Sequence, residues 1–573
     1  MSLPAAATPR WSWLPAQGSW RYHLLLAGTG MLVLGPLAGV AAAYMNFSLG
    51  FFVGGQVLAG LLGSAVTAGY GADGKHGANY IQTAAASVAS MSGMAVLVQA
   101  MAWMGLPPPP AWHLVAYFAC VGMLGVGVGM LYTPVLVDRL RLAFPSGLAV
   151  ANILRALTDP ALLRRSVRQL GSGAAAGLLA GLVGGRLAWL GAIEFSASTF
   201  GAGLVVGARI GVPAVIGGFA SWTLQPFFVA IGWLQAGDPF RKITFLIALG
   251  AILGAAIVDL ALIFRRALHG TRSPDADIDP EWRRVHRGRL WLWVLAWAAA
   301  TLATGHLLLG QPLFFLAVAI ALVFLFALVN GISVGVSDSN PISSAFVVSV
   351  VVMAMLGLAD ARVGLMSGAI LLVSTSVACD MQQDRSTGWR LGTPRRLQFR
   401  YQVLGILVGA VLAVVLARVF MAAYPVLVQG QTVMQAGAQP PEWSSAMTYK
   451  FVGVLRSLTD DKPYQRTAIV VGIALGFAIE VLRKWVRPRS FVVDAVLLPS
   501  PYALSFGGFV NLPTSLWLGA GGVAASLIEP RAPQRQDLPQ DMSGTSLFGG
   551  GLIAGDALAA LALGLAGLVA TVL

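Results

Sequence analysis

Apolar runs of about twenty residues follow one another along almost the whole chain, separated by short polar stretches. A run of that length crosses a ~30 Å hydrocarbon layer as a helix. Barrel strands alternate apolar and polar positions over about ten residues, whereas the runs here are continuously apolar. The pattern predicts spans at residues 22–44, 48–68, 79–103, 112–133 and 171–190, then a glycine-rich hairpin at 199–236 broken around Gly211 and Pro213. Further spans are expected at 243–265, 290–309, 312–331, 341–358, 363–379, 401–423, 466–486, 492–509, 511–529 and 545–572. The reading is an all-α polytopic membrane protein with about sixteen transmembrane helices.

Two segments are too short to cross. Residues 144–157 (FPSGLAVANILRAL) open with Pro145 and Gly147, and residues 449–458 are similar. Irregular backbone at membrane depth survives where protein or a wet cavity satisfies it, so each is either a re-entrant or broken piece or an interfacial helix.

Composition supports the membrane reading: 57% of the 573 residues are hydrophobic and 10% are charged, against about a quarter charged in soluble proteins. The 68 glycines suit helices that pack closely through small residues. The net charge of +14 does not point to nucleic acid, because 24 of the 37 basic residues fall in windows 139–168, 265–289, 385–400, 483–489 and 531–535. Basic loops of this kind mark the cytoplasmic face. The tetraproline at 107–110 and the long polar loop 424–448 then lie outside. The layout is a cytoplasmic tail at 1–21 without a signal peptide, a transmembrane half at 22–266, a cytoplasmic linker loop at 267–289 and a second half at 290–573.

Most soluble chemistries are excluded. GYGADGKH at 69–76 mimics a phosphate loop but lacks the flanking strand and the Ser or Thr after the lysine. The six histidines are scattered, and no zinc-ligand spacing exists. Cys120 and Cys379 sit in or beside spans, so no disulfide framework is expected. Nothing calls for a cofactor or a bound metal, and active transport would have to run on a gradient.

The candidate chemistry is in the acids and amides of the spans. Asn79, Gln82, Thr83 and Ser87 share one helix face by their spacing. Asp338, Ser339, Asn340, Ser343 and Ser344 surround Pro341, which frees carbonyls beside small polar side chains. Asp556 is the deepest acid of the last span. The densest charge follows the apolar run 363–379: VACDMQQDRSTGWRLGTPRR, residues 377–396. That helix is expected to end near Cys379 on the cytoplasmic side, with Asp380 and Asp384 on one face as a pair suited to proton exchange, and Gly388, Gly392 and Pro394 making a bend. Each group also has a plain structural reading, as a polar turn, interhelical glue or a solvated loop.

These residues resemble the oligopeptide transporter family, which includes the yellow-stripe-like metal-chelate transporters. Gln383-Asp384, Thr387-Gly388 and Gly392-Thr393-Pro394-Arg395 match its Q-D, T-G and G-x-P-R pattern ahead of a span. Asn79-x-x-Gln82-Thr83 resembles its N-x-x-Q-T signature, and Phe144-Pro145-Ser146-Gly147 its F-P-x-G segment. Asn340-Pro341-Ile342 and the terminal GLIAGDALAAL agree as well. Gly77 and Asp556 stand where the family often carries glutamate.

The resemblance implies a gradient-driven importer in two related halves, a multi-pass protein of a bacterial inner membrane. Its partners would be protons, the bilayer and small peptides, glutathione-like molecules or metal chelates. Asn79, Gln82, Thr83, Asp338, Asn340, Ser343, Asp380, Gln383, Asp384 and Asp556 would handle substrate and proton, and Pro145, Gly147, Pro341, Gly388, Gly392 and Pro394 would shape re-entrant or hinge segments. Rival readings are a membrane-embedded hydrolase using buried carboxylates and a passive channel. Assembly into a homo-oligomer is left open.

Overall fold

A computed structural model describes residues 11–48, 56–156, 160–184, 193–238, 240–268, 280–337, 340, 342–430, 443, 445–457, 463–486, 490–528 and 543–572. Among the described residues all regular structure is helical. The chain begins with α1 (Trp20–Gly28) and α2 (Gly35–Ser48), joined by a π-helical turn, then α3 (Gln56–Thr67), α4 (Gly74–Ser92), α5 (Ala95–Trp103) and α6 (Ala111–Thr133). There follow the short α7 (Pro145–Ala156), α8 (Pro160–Gly184), α9 (Ala197–Val206), α10 (Ala208–Thr223), α11 (Gln225–Ala230) and α12 (Arg241–Leu268). The later part holds α13 (Arg287–Ala303), α14 (Leu313–Ser337), α15 (Ile342–Met355), α16 (Ala361–Leu391) and α17 (Arg395–Ala423). It closes with α18 (Ala446–Ser457), α19 (Pro463–Val486), α20 (Pro501–Phe509), α21 (Leu512–Ile528) and α22 (Gly544–Val572).

Eight stretches among the described residues are long and apolar enough to cross a membrane, and five shorter apolar helices accompany them. Large apolar side chains such as Leu292 (68% exposed), Leu307 (76%) and Val470 (62%) face outward, as lipid-facing positions do. The inward side is a core of four helices, α4, α6, α16 and α17. Within Leu62–Trp103 and within Ala361–Leu391, the most apolar eighteen residues are wholly buried. Helices α4 and α16 run antiparallel, because Gln82 meets Asp384 while Ser90 lies 3.3 Å from Ser376. Helix α6 runs parallel to α16: Tyr117 Oη donates to the Met366 carbonyl at 2.7 Å and Ser374 Oγ to the Val121 carbonyl at 2.9 Å.

Several boundaries differ from the sequence reading. The helix expected to stop near Cys379 continues to Leu391, so Asp380, Gln383, Asp384 and Gly388 lie inside α16 and not in a loop. Within this stretch Asp384 and Thr387 find partners on neighbouring helices, which removes the reason to leave the bundle. The end comes at Gly392, whose φ of 72° is the left-handed cap conformation that glycine adopts without strain. Pro394 then caps α17. Asn79 does not open its helix, which starts at Gly74, and the expected span 79–103 is interrupted at Gly93 and Met94. In the hairpin the break falls at Gly207, with φ 76°, while Gly211 and Pro213 lie within α10. Of the segment 144–157, Pro145–Ala156 form α7, with Val150, Ala151, Ile153 and Leu154 all buried, and Leu157 lies outside the described residues. The segment 449–458 falls within the equally buried α18, apart from Leu458, which lies outside the described residues. Residues 269–279 of the linker 267–289, and 431–442 and 444 of the loop 424–448, also lie outside the described residues.

Candidate functional site

The polar residues of α4, α16 and α17 meet inside the four-helix core, towards the end that carries the 392–394 turn. Asn79, Gln82 and Thr83 come from the first half of α4, Asp380 to Arg385 from the last third of α16, and Gln398 and Gln402 from the first two turns of α17. Asn79 Nδ2 donates to Gln82 Oε1 at 2.7 Å. Gln82 Nε2 in turn donates to Asp384 Oδ1. Gln398 Nε2 reaches three acceptors: the Asp384 carbonyl at 2.7 Å, Thr83 Oγ1 at 3.1 Å and Asn79 Oδ1 at 3.2 Å. One carboxamide therefore ties all three helices together.

The two charges at the centre are not paired with each other. Asp384 and Arg385 are both fully buried, yet Asp384 is held by Gln82 and Arg385 donates to Gln402 Oε1 at 3.4 Å. Asp384 Oδ2 and Arg385 Nε and Nη1 have no hydrogen-bond partner among the described residues. The Thr83 hydroxyl lies beside the carboxylate. Burying charge with donors and acceptors left over is costly. It persists here because helices packed on every side hold the groups in place. Asp380, one turn before Asp384, and Gln383 keep 8% and 7% exposure, whereas Asp384 to Thr387 have none.

Close backbone approach makes the geometry possible. A Cβ on Gly388 would lie 2.7 Å from Gln398 Oε1 and 3.3 Å from Asn79 Oδ1, so a side chain there would push on the carboxamide bridge. On the opposite flank α7 presses on α16 at Gly147, where a Cβ would sit 2.7 Å from the Gln383 carbonyl. Thr387 Oγ1 donates to the Gly147 carbonyl at 2.9 Å. Pro145 is the first residue of α7, so the whole short helix is docked by its amino-terminal turn.

Other expected site residues lie elsewhere. Asp556 Oδ2, on α22, accepts from the Ser198 backbone N–H at 3.2 Å and takes no part in the α4–α16–α17 network. Asp338 and Pro341 lie outside the described residues, Asn340 precedes α15, and Ser343 falls in its first turn. Sequence reasoning missed Gln398, Gln402, Arg385 as a site residue, and the Asp138–Arg395 ion pair, in which Arg395 Nη1 donates to Asp138 Oδ2 at 2.8 Å. A signal existed: Gln398 and Gln402 stand four apart in the first turns of an otherwise apolar helix.

The arrangement provides a buried carboxylate, a buried guanidinium and convergent amides at an interface of several helices. Among the described residues no three His, Cys, Asp or Glu side chains come together as a metal site. In comparisons with known proteins, the family model described as OPT oligopeptide transporter protein matches residues 24–190 and 184–566. A Haemophilus influenzae protein named "Putative oligopeptide transporter" is 23% identical over 563 residues, covering 84% of this chain and 85% of that one.

Proposed function

Because this chain belongs to the oligopeptide transporter family, we propose that it is a secondary transporter of a bacterial inner membrane that imports small peptides with protons. About sixteen crossings, counting the short helices, would enclose the route. The observation that carries the reading is Asp384: a fully buried carboxylate with one oxygen on Gln82 and the other unpartnered among the described residues. Such a group takes up or releases a proton without dismantling the structure around it. The amides of Asn79, Gln82, Gln383 and Gln398 offer donors and acceptors of the kind that peptide bonds need. Asp380 and Gln383, the less enclosed positions, are where solute would reach the cluster.

Protonation of Asp384 removes one buried charge, which changes the relative cost of conformations that expose the cluster to either side. Coupling follows if substrate and proton favour the same conformation. The test is uptake of labelled di- to pentapeptides into proteoliposomes under an inward proton gradient. Accumulation above the outside concentration, abolished by an uncoupler, is the expected result. Gradient-independent flux, or none, refutes the coupling. Turnover of peptides in detergent would favour a hydrolase instead.

A further inference from the structure

The order of helix lengths recurs. Helices α7, α8, α9, α10 and α12 have 12, 25, 10, 16 and 28 residues. Helices α18, α19, α20, α21 and α22 have 12, 24, 9, 17 and 29. Ahead of them, α3 corresponds to α15, α4 with α5 to α16, and α6 to α17. Packing repeats in the same register: α4 packs on α17 as α16 packs on α6, and α8 packs on α22 as α19 packs on α12. Since α4 and α16 are counterparts and antiparallel, the axis relating the halves lies across the helices.

The two short helices carry this relation down to one side chain. Each has an arginine at its eleventh position. Arg155 Nη2, on α7, donates to the Arg390 carbonyl at the end of α16, at 2.6 Å. Arg456 Nη2, on α18, donates to the Trp103 carbonyl at the end of α5, at 3.1 Å. The last four carbonyls of a helix have no partner within it, so each guanidinium satisfies one of them. Because α5 and α16 end on opposite sides of the core, the two arginines clamp opposite ends. We propose that Arg155 and Arg456 are paired positioning residues, each latching one end of an inverted-repeat transporter, so that release of one favours opening at its own end. Other ties reinforce the 390–396 end: the Asp138–Arg395 pair and Arg396 Nε donating to the Arg284 carbonyl at 3.0 Å.

The proposal rests on the transporter reading, and its test uses neither substrate nor gradient, so its failure leaves peptide transport standing. Cys379 is a native reporter: it is fully buried among Leu136, Val137 and Phe144, and Phe144 directly precedes α7. In a Cys120→Ala background, Arg155→Gln is expected to raise labelling of Cys379 by a membrane-impermeant maleimide on the order of tenfold, the effect of losing one charge-assisted hydrogen bond. Arg456→Gln is expected to leave labelling unchanged or lower it, and Arg155→Lys to restore much of the protection. Unchanged labelling in Arg155→Gln, or an equal rise in Arg456→Gln, overturns the pairing. A rise that lysine does not reverse marks general loosening and overturns it as well.

Discussion

The Gln82 carboxamide donates to Asp384 Oδ1 across a separation of 302 residues, joining the antiparallel helices α4 and α16 in the interior. An asparagine at 384 would keep the acceptor for Gln82 and lose only the ability to ionise. Asp384→Asn is therefore expected to fold, with a thermal midpoint within a few degrees of the parent, because a like-shaped polar side chain retains the hydrogen bond. Proton-driven accumulation is expected to fall at least about tenfold, while exchange of internal for external peptide, which needs no net proton movement, continues. Measuring accumulation and exchange on the same proteoliposomes separates the two. If both persist, the carboxylate does not carry the coupling.

Gly388 makes a different prediction. A methyl group there would meet Gln398 Oε1 at 2.7 Å, and that carboxamide holds Asn79, Thr83 and the Asp384 carbonyl. Gly388→Ala is expected to displace it and cost about 1–3 kcal/mol, the usual penalty of overpacking. The drop in thermal midpoint should shrink when Gln398→Ala is added, since the smaller side chain vacates the space. Equal loss in single and double variants would show that the strain lies elsewhere.

How far the sequence speaks depends on what an element packs against. That the chain is a set of long apolar helices is legible, because lipid imposes length and composition on each; against about sixteen expected crossings, eight stretches among the described residues are long and apolar enough to span. Where α16 ends is not legible, because the stretch from Asp380 to Arg390 is polar like a loop, and only its neighbours show that it is helix. Asn79, Gln82 and Asp384 were visible as candidates one at a time; what brought them together was Gln398, whose three bonds depend on the packing of α4 against α16 and α17. The break at Gly207 was read a few residues late, since Pro213 is the stronger sequence breaker yet sits inside α10.

The Asp138–Arg395 pair holds the π-helical turn Pro134–Arg139, which follows α6, to the start of α17, with Arg395 only 3% exposed. Removing the acid alone leaves a buried cation, which typically costs about 3 kcal/mol or more, whereas replacing both partners costs less. Asp138→Ala should therefore lower the thermal midpoint more than Asp138→Ala with Arg395→Met. A double-mutant cycle in detergent measures the coupling, expected to be at least about 1 kcal/mol. Additive losses would mean that the pair, despite its geometry, contributes no interaction of its own.

Asp556 was expected with the coupling residues, and its position argues for another task. Its Oδ2 accepts from the Ser198 N–H in the first turn of α9, where backbone donors lack partners and the helix dipole favours negative charge. Ser196 caps the same turn through Thr199 N at 3.2 Å, so α9 has two caps, one of them supplied by α22. Asp556→Ala should cost about 1–2 kcal/mol of stability, as loss of a cap does, and Asp556→Asn, which retains an acceptor, less than about 1 kcal/mol. Both variants should still accumulate peptide under a proton gradient once uptake is normalised to folded protein. If Asp556→Asn instead loses accumulation while keeping exchange, as expected for Asp384→Asn, the two acids act on one proton path and capping is not the role that matters.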